Sequence, residues 1–94
     1  MESVDISIVI PSYNGKEKAI RLLHALEKQT YLNFEVIVVL DGSTDDSANE
    51  ILKTDWKQFS VIILEQENKG RAGDRNAGVK IAKSKQILFL DDDM

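Results

Sequence analysis

Phe34-Glu35-Val36-Ile37-Val38-Val39-Leu40, followed at once by Asp41-Gly42-Ser43-Thr44-Asp45-Asp46, decides the fold. An apolar run one buried strand long ends abruptly in a polar, acidic turn. Three other runs have the same character: Ile6 to Ile10, Ser60 to Leu64 and Gln86 to Leu90. Their continuous apolarity predicts strands buried on both faces. Between the first two runs, Ala19, Leu22, Leu23 and Leu26 fall at helical spacing, with Lys16, Glu17, Arg21, His24 and Lys28 on the polar face. Ala48, Ile51 and Leu52 make a shorter stripe after Ser47, and Ala77, Gly78, Ile81 and Ala82 make another ahead of the fourth run, with a helix start near Gly73.

Strands alternating with helices need crossover connections, and these give a parallel sheet covered on both sides. The expectation is an α/β fold: a Rossmann-like parallel sheet of about four strands with three helices. The single proline, Pro11, stands where the first strand is predicted to end. No internal repeat, low-complexity stretch or linker divides the chain, so residues 1–94 read as one domain.

Composition narrows the chemistry. A net charge of -4 argues against a general nucleic-acid binder, which needs a basic surface to replace phosphate counterions. With no cysteine and one histidine, thiolate and multi-imidazole metal sites are excluded, and any metal must be held by oxygen. No apolar run approaches the roughly 20 residues that span a bilayer, and Met1-Glu2-Ser3-Val4-Asp5 lacks a signal-peptide layout. A cytoplasmic protein is the expectation.

Ligands of open parallel sheets bind beyond the carboxyl ends of the strands. The segments there are Pro11-Ser12-Tyr13-Asn14-Gly15, Asp41-Gly42-Ser43-Thr44-Asp45-Asp46, Glu65-Gln66-Glu67-Asn68-Lys69-Gly70-Arg71 and Asp91-Asp92-Asp93. The first and third are also ordinary turn sequences, and Thr44 or Asp45 can cap the following helix. Capping leaves Asp41 unexplained; a carboxylate at a strand end can accept from the N–H groups of a base or sugar. Three adjacent aspartates repel one another unless a cation or solvent offsets them, and Mg2+ or Mn2+ suits Asp91-x-Asp93. Arg71 and Arg75, in or beside the third segment, are positioned to face a diphosphate or a base, and a helix start near Gly73 adds anion donors. His24 and Trp56 read as structural.

The constellation resembles the inverting family 2 glycosyltransferases, which have a GT-A fold and use nucleotide-diphosphate sugars. Ile6 to Asn14 is similar to that family's first strand and base-lining loop, and Val38 to Asp45 to its second strand and acidic turn. The resemblance implies that Pro11, Tyr13, Asn14, Asp41, Ser43, Arg71, Arg75, Asp91 and Asp92 bind the nucleotide sugar, with Asp41 on the base. Leu40 stands where many members carry a further acidic residue. Asn68-Lys69-Gly70 and Arg75-Asn76-Ala77-Gly78 resemble the family's glycine-containing loop and Arg-Asn-x-Gly helix start, with Asp74 where a small residue is usual. Leu88 to Asp93 resembles the Asp-x-Asp segment, and the resemblance implies that Asp93 is the direct metal ligand, with Asp91 and Asp92 nearer the ribose and metal waters.

The resemblance further implies a donor built on uridine diphosphate, an acceptor saccharide or lipid-linked acceptor, and a divalent cofactor, Mn2+ or Mg2+. The full-length enzyme would then act in the cytoplasm, including the inner membrane face. The chain would be the nucleotide-binding half, ending after the Asp-x-Asp motif and lacking the catalytic base, so that it binds nucleotide at best. A phospho-receiver domain is a rival, but it needs acidic residues after strand one and a phospho-accepting aspartate after strand three, where Pro11-Ser12-Tyr13 and Glu65-Gln66-Glu67 stand. A non-catalytic assembly module is another; an unpaired Ile87-Leu88-Phe89-Leu90 strand predicts self-association.

Overall fold

A computed structural model describes residues 4–31, 33–67 and 70–91, with the side chain of Arg71 outside that description. The elements run β1 (Ile6–Ser12), α1 (Lys16–Glu27), β2 (Phe34–Asp41), α2 (Ser47–Leu52), β3 (Ser60–Gln66), α3 (Gly70–Ile81) and β4 (Ile87–Phe89). All four strands pair in parallel, in the order β3-β2-β1-β4. The expected α/β fold with four strands and three helices is therefore present.

Period-two alternation divides the core. On one face Ile8, Ile10, Val36, Val38 and Leu40 pack with Ala19 and Leu23 of α1 and Ile51 of α2. On the other, Val9, Ile37 and Val39 pack with Ala82, just past the end of α3. Trp56 extends the first face: its indole N–H donates to the Ile51 carbonyl at 2.8 Å, and its ring lies 4.9 Å from that of His24. Both residues are thus structural, as the sequence implied.

Three expectations are corrected. Burial on both faces holds for the central strands β1 and β2, whereas β3 and β4 are edges, and Leu88 and Phe89 remain 45% and 41% exposed. Helix α3 begins at Gly70 rather than near Gly73, so Arg71 and Arg75 belong to the helix and not to a loop. Gly70 supplies the reason, since its φ of 69° is a left-handed turn from which the helix can start directly.

Strand β1 also continues through Pro11 to Ser12. Ser7 N–H and Val9 C=O bond to the β4 side, at Gln86 and Leu90, and Pro11 shares their parity. It has no N–H to extend that ladder, and β4 pairing stops at Val9↔Phe89. The same register would set Asp91 opposite Pro11, so β1 and β4 part there. The chain moves outward from β1 to β3 and then returns to place β4 beside β1. The opening at Pro11 and Asp91 is therefore the point where strand order reverses, which is where open sheets bind ligands.

Candidate nucleotide-binding edge

Two loops at the carboxyl edge are stitched to each other. Asn14, at φ 47°, accepts the Thr44 N–H on its side-chain oxygen at 2.7 Å, and its own N–H donates to Ser43 Oγ at 3.0 Å. Asp45 reinforces the seam by accepting the Lys16 N–H at the start of α1 (3.0 Å) and the Ser47 hydroxyl at the start of α2. Burial pushes the Asp45 carboxyl up, but the Ser47 hydroxyl and the amides around it outweigh that and hold it below the usual carboxylate range. One carboxylate therefore serves the first turns of two helices, while Asp46, at φ 63°, is the residue that enters α2. This latch leaves Tyr13 66% exposed at the mouth of the crevice.

Asp41 ends β2, and Gly42 turns the chain away at φ 72°. Its Oδ2 accepts the Gly70 N–H, the first amide of α3, at 2.9 Å. Asp41 thus lies at the positive end of the α3 dipole. In the β2–β3 register Asp41 stands beside Gln66, whose side-chain amide donates to Asp74 Oδ1 at 2.7 Å. Asp74 is only 3% exposed. Burial raises the Asp74 pKa, the Gln66 hydrogen bond opposes that rise, and the Asp41 charge adds to it.

Arg75, one turn into α3, lays its guanidinium carbon 5.4 Å from the centre of the Phe89 ring on β4. Its Nε is buried and has no hydrogen-bond partner. The arginine therefore reaches from α3 towards the strand that delivers Asp91. Asp41 and Asp91 lie on strands two steps apart, on the order of 10 Å across the edge.

Of the site residues expected from sequence, Pro11, Tyr13, Asn14, Asp41, Ser43 and Asp91 lie on this one edge, and Arg75 approaches it from the α3 face. Pro11 is buried in β1, and Asn14 and Ser43 are engaged with each other, so these three shape the crevice. The Arg71 side chain, Asp92 and Asp93 lie outside the described residues. Among the described residues, no group of three or more His, Cys, Asp or Glu side chains is placed to hold a metal. A concavity of about 550 Å3 also opens at the opposite edge, beside Asn33, Trp56 and Lys57, and Lys57 is the one charged group among the described residues that line it. The carboxyl edge carries the convergent acids, and chemistry outranks size as a guide to the site. Sequence reasoning missed the Asp74–Gln66 contact, although Asp74 standing in place of a small residue was its visible sign.

An open parallel sheet with carboxylates along its carboxyl edge, one of them bonded to a helix N-terminus, defines a Rossmann-like α/β domain. The family model described as Glycosyl transferase family 2 matches residues 7–94, and the chain belongs to that family. It is 40% identical over 89 residues to the Escherichia coli protein named UDP-Glc:alpha-D-GlcNAc-diphosphoundecaprenol beta-1,3-glucosyltransferase WfaP, covering 94% of this chain and 35% of that protein. It is 38% identical over 93 residues to an uncharacterized glycosyltransferase of Rickettsia bellii, covering 99% of this chain and 13% of the relative. Among solved structures, S. aureus TarS residues 1–349 superimpose with a TM-score of 0.84 at 30% identity, over 96% of this chain and 28% of that one. TarS has also been solved with UDP and with UDP-GlcNAc. The chain thus spans about a third or less of the length of these relatives.

Proposed function

We propose that residues 1–94 are the donor-binding half of an inverting glycosyltransferase that transfers a sugar from a nucleotide-diphosphate sugar to an acceptor hydroxyl. The observation that carries this reading is that Asp41, the α3 N-terminus and Asp91 lie along one edge, the edge on which strand order reverses between β1 and β4. Asp41 accepts from the base, exposed Tyr13 offers a ring to stack on it, and Arg75 meets the diphosphate. Uridine is the base we assign, supported by the UDP complexes of TarS and by the UDP-Glc in the name of WfaP. The lipid-linked acceptor in that name supports a saccharide or lipid-linked acceptor here. The site of action on this reading is the cytoplasm, at the inner membrane face where the acceptor is lipid-linked.

A divalent cation fits the donor set, because the crevice presents Asp91 and the chain offers oxygen ligands without any thiolate. Asp91 and Asp93 would hold it. Bound there, it would neutralise charge on the leaving diphosphate. Direct displacement with inversion also needs a general base to take the acceptor proton, and no residue of 1–94 is assigned that role.

Calorimetry with UDP, with and without Mn2+, tests the reading on this chain and on Asp93→Ala. Metal-dependent binding by the wild type that falls at least tenfold in the variant, a difference of about 1.4 kcal/mol, is the expected result. Equal heats with and without metal would remove the cation from the proposal, and no binding by the wild type would remove the donor.

Self-association belongs to the same reading. Strand β4 is a three-residue edge with Leu88 and Phe89 exposed, and Val79 and Ile81 of α3 are 43% and 40% exposed. Light scattering should show mass rising with concentration; a constant monomer mass would count against it.

A further inference from the structure

We infer that Phe89 is a positioning residue for the diphosphate contact, its ring holding the Arg75 guanidinium beside the strand that delivers Asp91 before any donor arrives. This inference rests on the reading of Arg75 as the residue that meets the diphosphate.

Register and close packing bring the two side chains together. Val9 and Phe89 are partners in the β1–β4 pairing. At Gly78 helix α3 lies so close to Val9 that a Cβ there would fall 2.5 Å from Val9 Cγ1. Arg75 stands three residues before Gly78, on the same face of the helix. Seating Gly78 on Val9 therefore sets Arg75 over the neighbouring strand, where its guanidinium carbon lies 5.4 Å from the centre of the Phe89 ring.

The contact has the character of a support and not of a core. Phe89 is 41% exposed and Arg75 is half-buried, so the pair seals little apolar surface. Arg75 Nε is buried yet has no hydrogen-bond partner, so no acceptor among the described residues fixes the inner end of the guanidinium. The ring is placed to hold that end, because a cation within about 6 Å of an aromatic centroid is attracted by its quadrupole. Such a hold consumes no N–H. The arginine keeps its donors for phosphate oxygens, which it can engage two at a time. Fixing a long, rotamer-rich side chain beforehand also removes an ordering cost that donor binding would otherwise bear. Asp91 follows Phe89 by two residues, about 7 Å of extended chain, so the support for the cation adjoins the carboxylate assigned to the donor.

The test measures UDP and uridine affinity at one fixed Mn2+ concentration, with a thermal melt of each protein. The proteins are the wild type, Phe89→Leu, Phe89→Tyr, Arg75→Ala and the Phe89→Leu, Arg75→Ala double variant. Leucine keeps apolar bulk without a ring face, whereas tyrosine keeps the face. Expected are UDP binding about fivefold weaker in Phe89→Leu and within about twofold of wild type in Phe89→Tyr, with uridine binding unmoved in both. Arg75→Ala should lose at least as much, and adding Phe89→Leu to it should cost nothing further. A general loosening of the edge would instead weaken uridine as much as UDP and would add to the arginine loss. Either of those results, unchanged UDP affinity in Phe89→Leu, or an equal loss in Phe89→Tyr overturns the inference, while a loss in Arg75→Ala keeps the diphosphate reading. Unchanged UDP affinity in Arg75→Ala, or no UDP binding by the wild type, overturns both. A second measurement needs no change at position 89: the arginine Nε–H groups are observed by NMR. The Arg75 signal should be shifted by the ring and exchange with water more slowly than that of Arg21, which is exposed on α1. An Arg75 signal coincident with that of Arg21 overturns the inference even if Phe89→Leu fails to fold.

Discussion

Glu35→Ala is expected to cost the fold about 2–4 kcal/mol, because it strands two donors in a buried place. Glu35 is 1% exposed and lies on the α3 face of β2. Its Oε2 accepts the Ser7 hydroxyl at 2.6 Å and the Lys83 N–H at 2.6 Å. Ser7 Oγ in turn accepts the Ser84 N–H at 3.1 Å, and Ser84 Oγ donates to the Asp5 carbonyl at 2.7 Å. One carboxylate thereby closes the end of α3 onto β1 and β2 at the edge opposite the carboxyl ends of the strands. Truncation to alanine removes the acceptor and leaves the Ser7 and Lys83 donors facing a buried void that only an incoming water could satisfy. For a domain of this size each kcal/mol moves the melting temperature by about 4–8 °C, so a fall of at least about 10 °C is expected by calorimetry. Glu35→Gln retains an oxygen to accept from Ser7 and Lys83, but it buries an amide where Oε1 has no partner. Its loss should be less than half that of alanine. An alanine variant melting within about 2 °C of wild type would show that water already reaches the carboxylate.

Glu35 also shows where sequence reading stopped. It lies inside the run from Phe34 to Leu40, and hydrophobic pattern alone treats such a residue as an interruption. Its partners come from residues 28 and 48 positions away, so no local signal could reveal them. The four strands and three helices were legible for the opposite reason: each is written in a short apolar period. The carboxyl edge was legible too, because parallel strands put the residues that follow every run on the same side. Side-chain roles on that edge were less so. Asn14 and Ser43 were read as ligand contacts, yet each holds the other's loop, a pairing set by the distance between two loop tips. The start of α3 was placed late because Gly73, within the helix, looked like a boundary, while the left-handed turn belongs to Gly70.

Gly78→Ala carries the other large expected effect, and its sign is decided by competition between helix propensity and packing. In an exposed helix the change would stabilise by about 1 kcal/mol. Here a Cβ at position 78 would fall 2.5 Å from Val9 Cγ1, 3.0 Å from Cγ2 and 3.3 Å from Cβ. Val9 is fully buried in the central strand, and because both methyls and the Cβ crowd the site, rotation about χ1 only exchanges one clash for another. Helix α3 must instead move off the sheet. Overpacking of this kind costs about 1–3 kcal/mol and occasionally more. A net loss of roughly 1–2 kcal/mol is expected, read as a drop of several degrees in the melting temperature. The same displacement would draw Gly70 away from Asp41, so UDP affinity should fall along with stability. Val9→Ala in the Gly78→Ala background removes the obstructing methyls, and the double variant should be more stable than the sum of the two single losses by about 1 kcal/mol or more. Additive losses would mean that α3 accommodates the methyl without leaning on Val9, and would separate the packing of this helix from the geometry of the nucleotide edge.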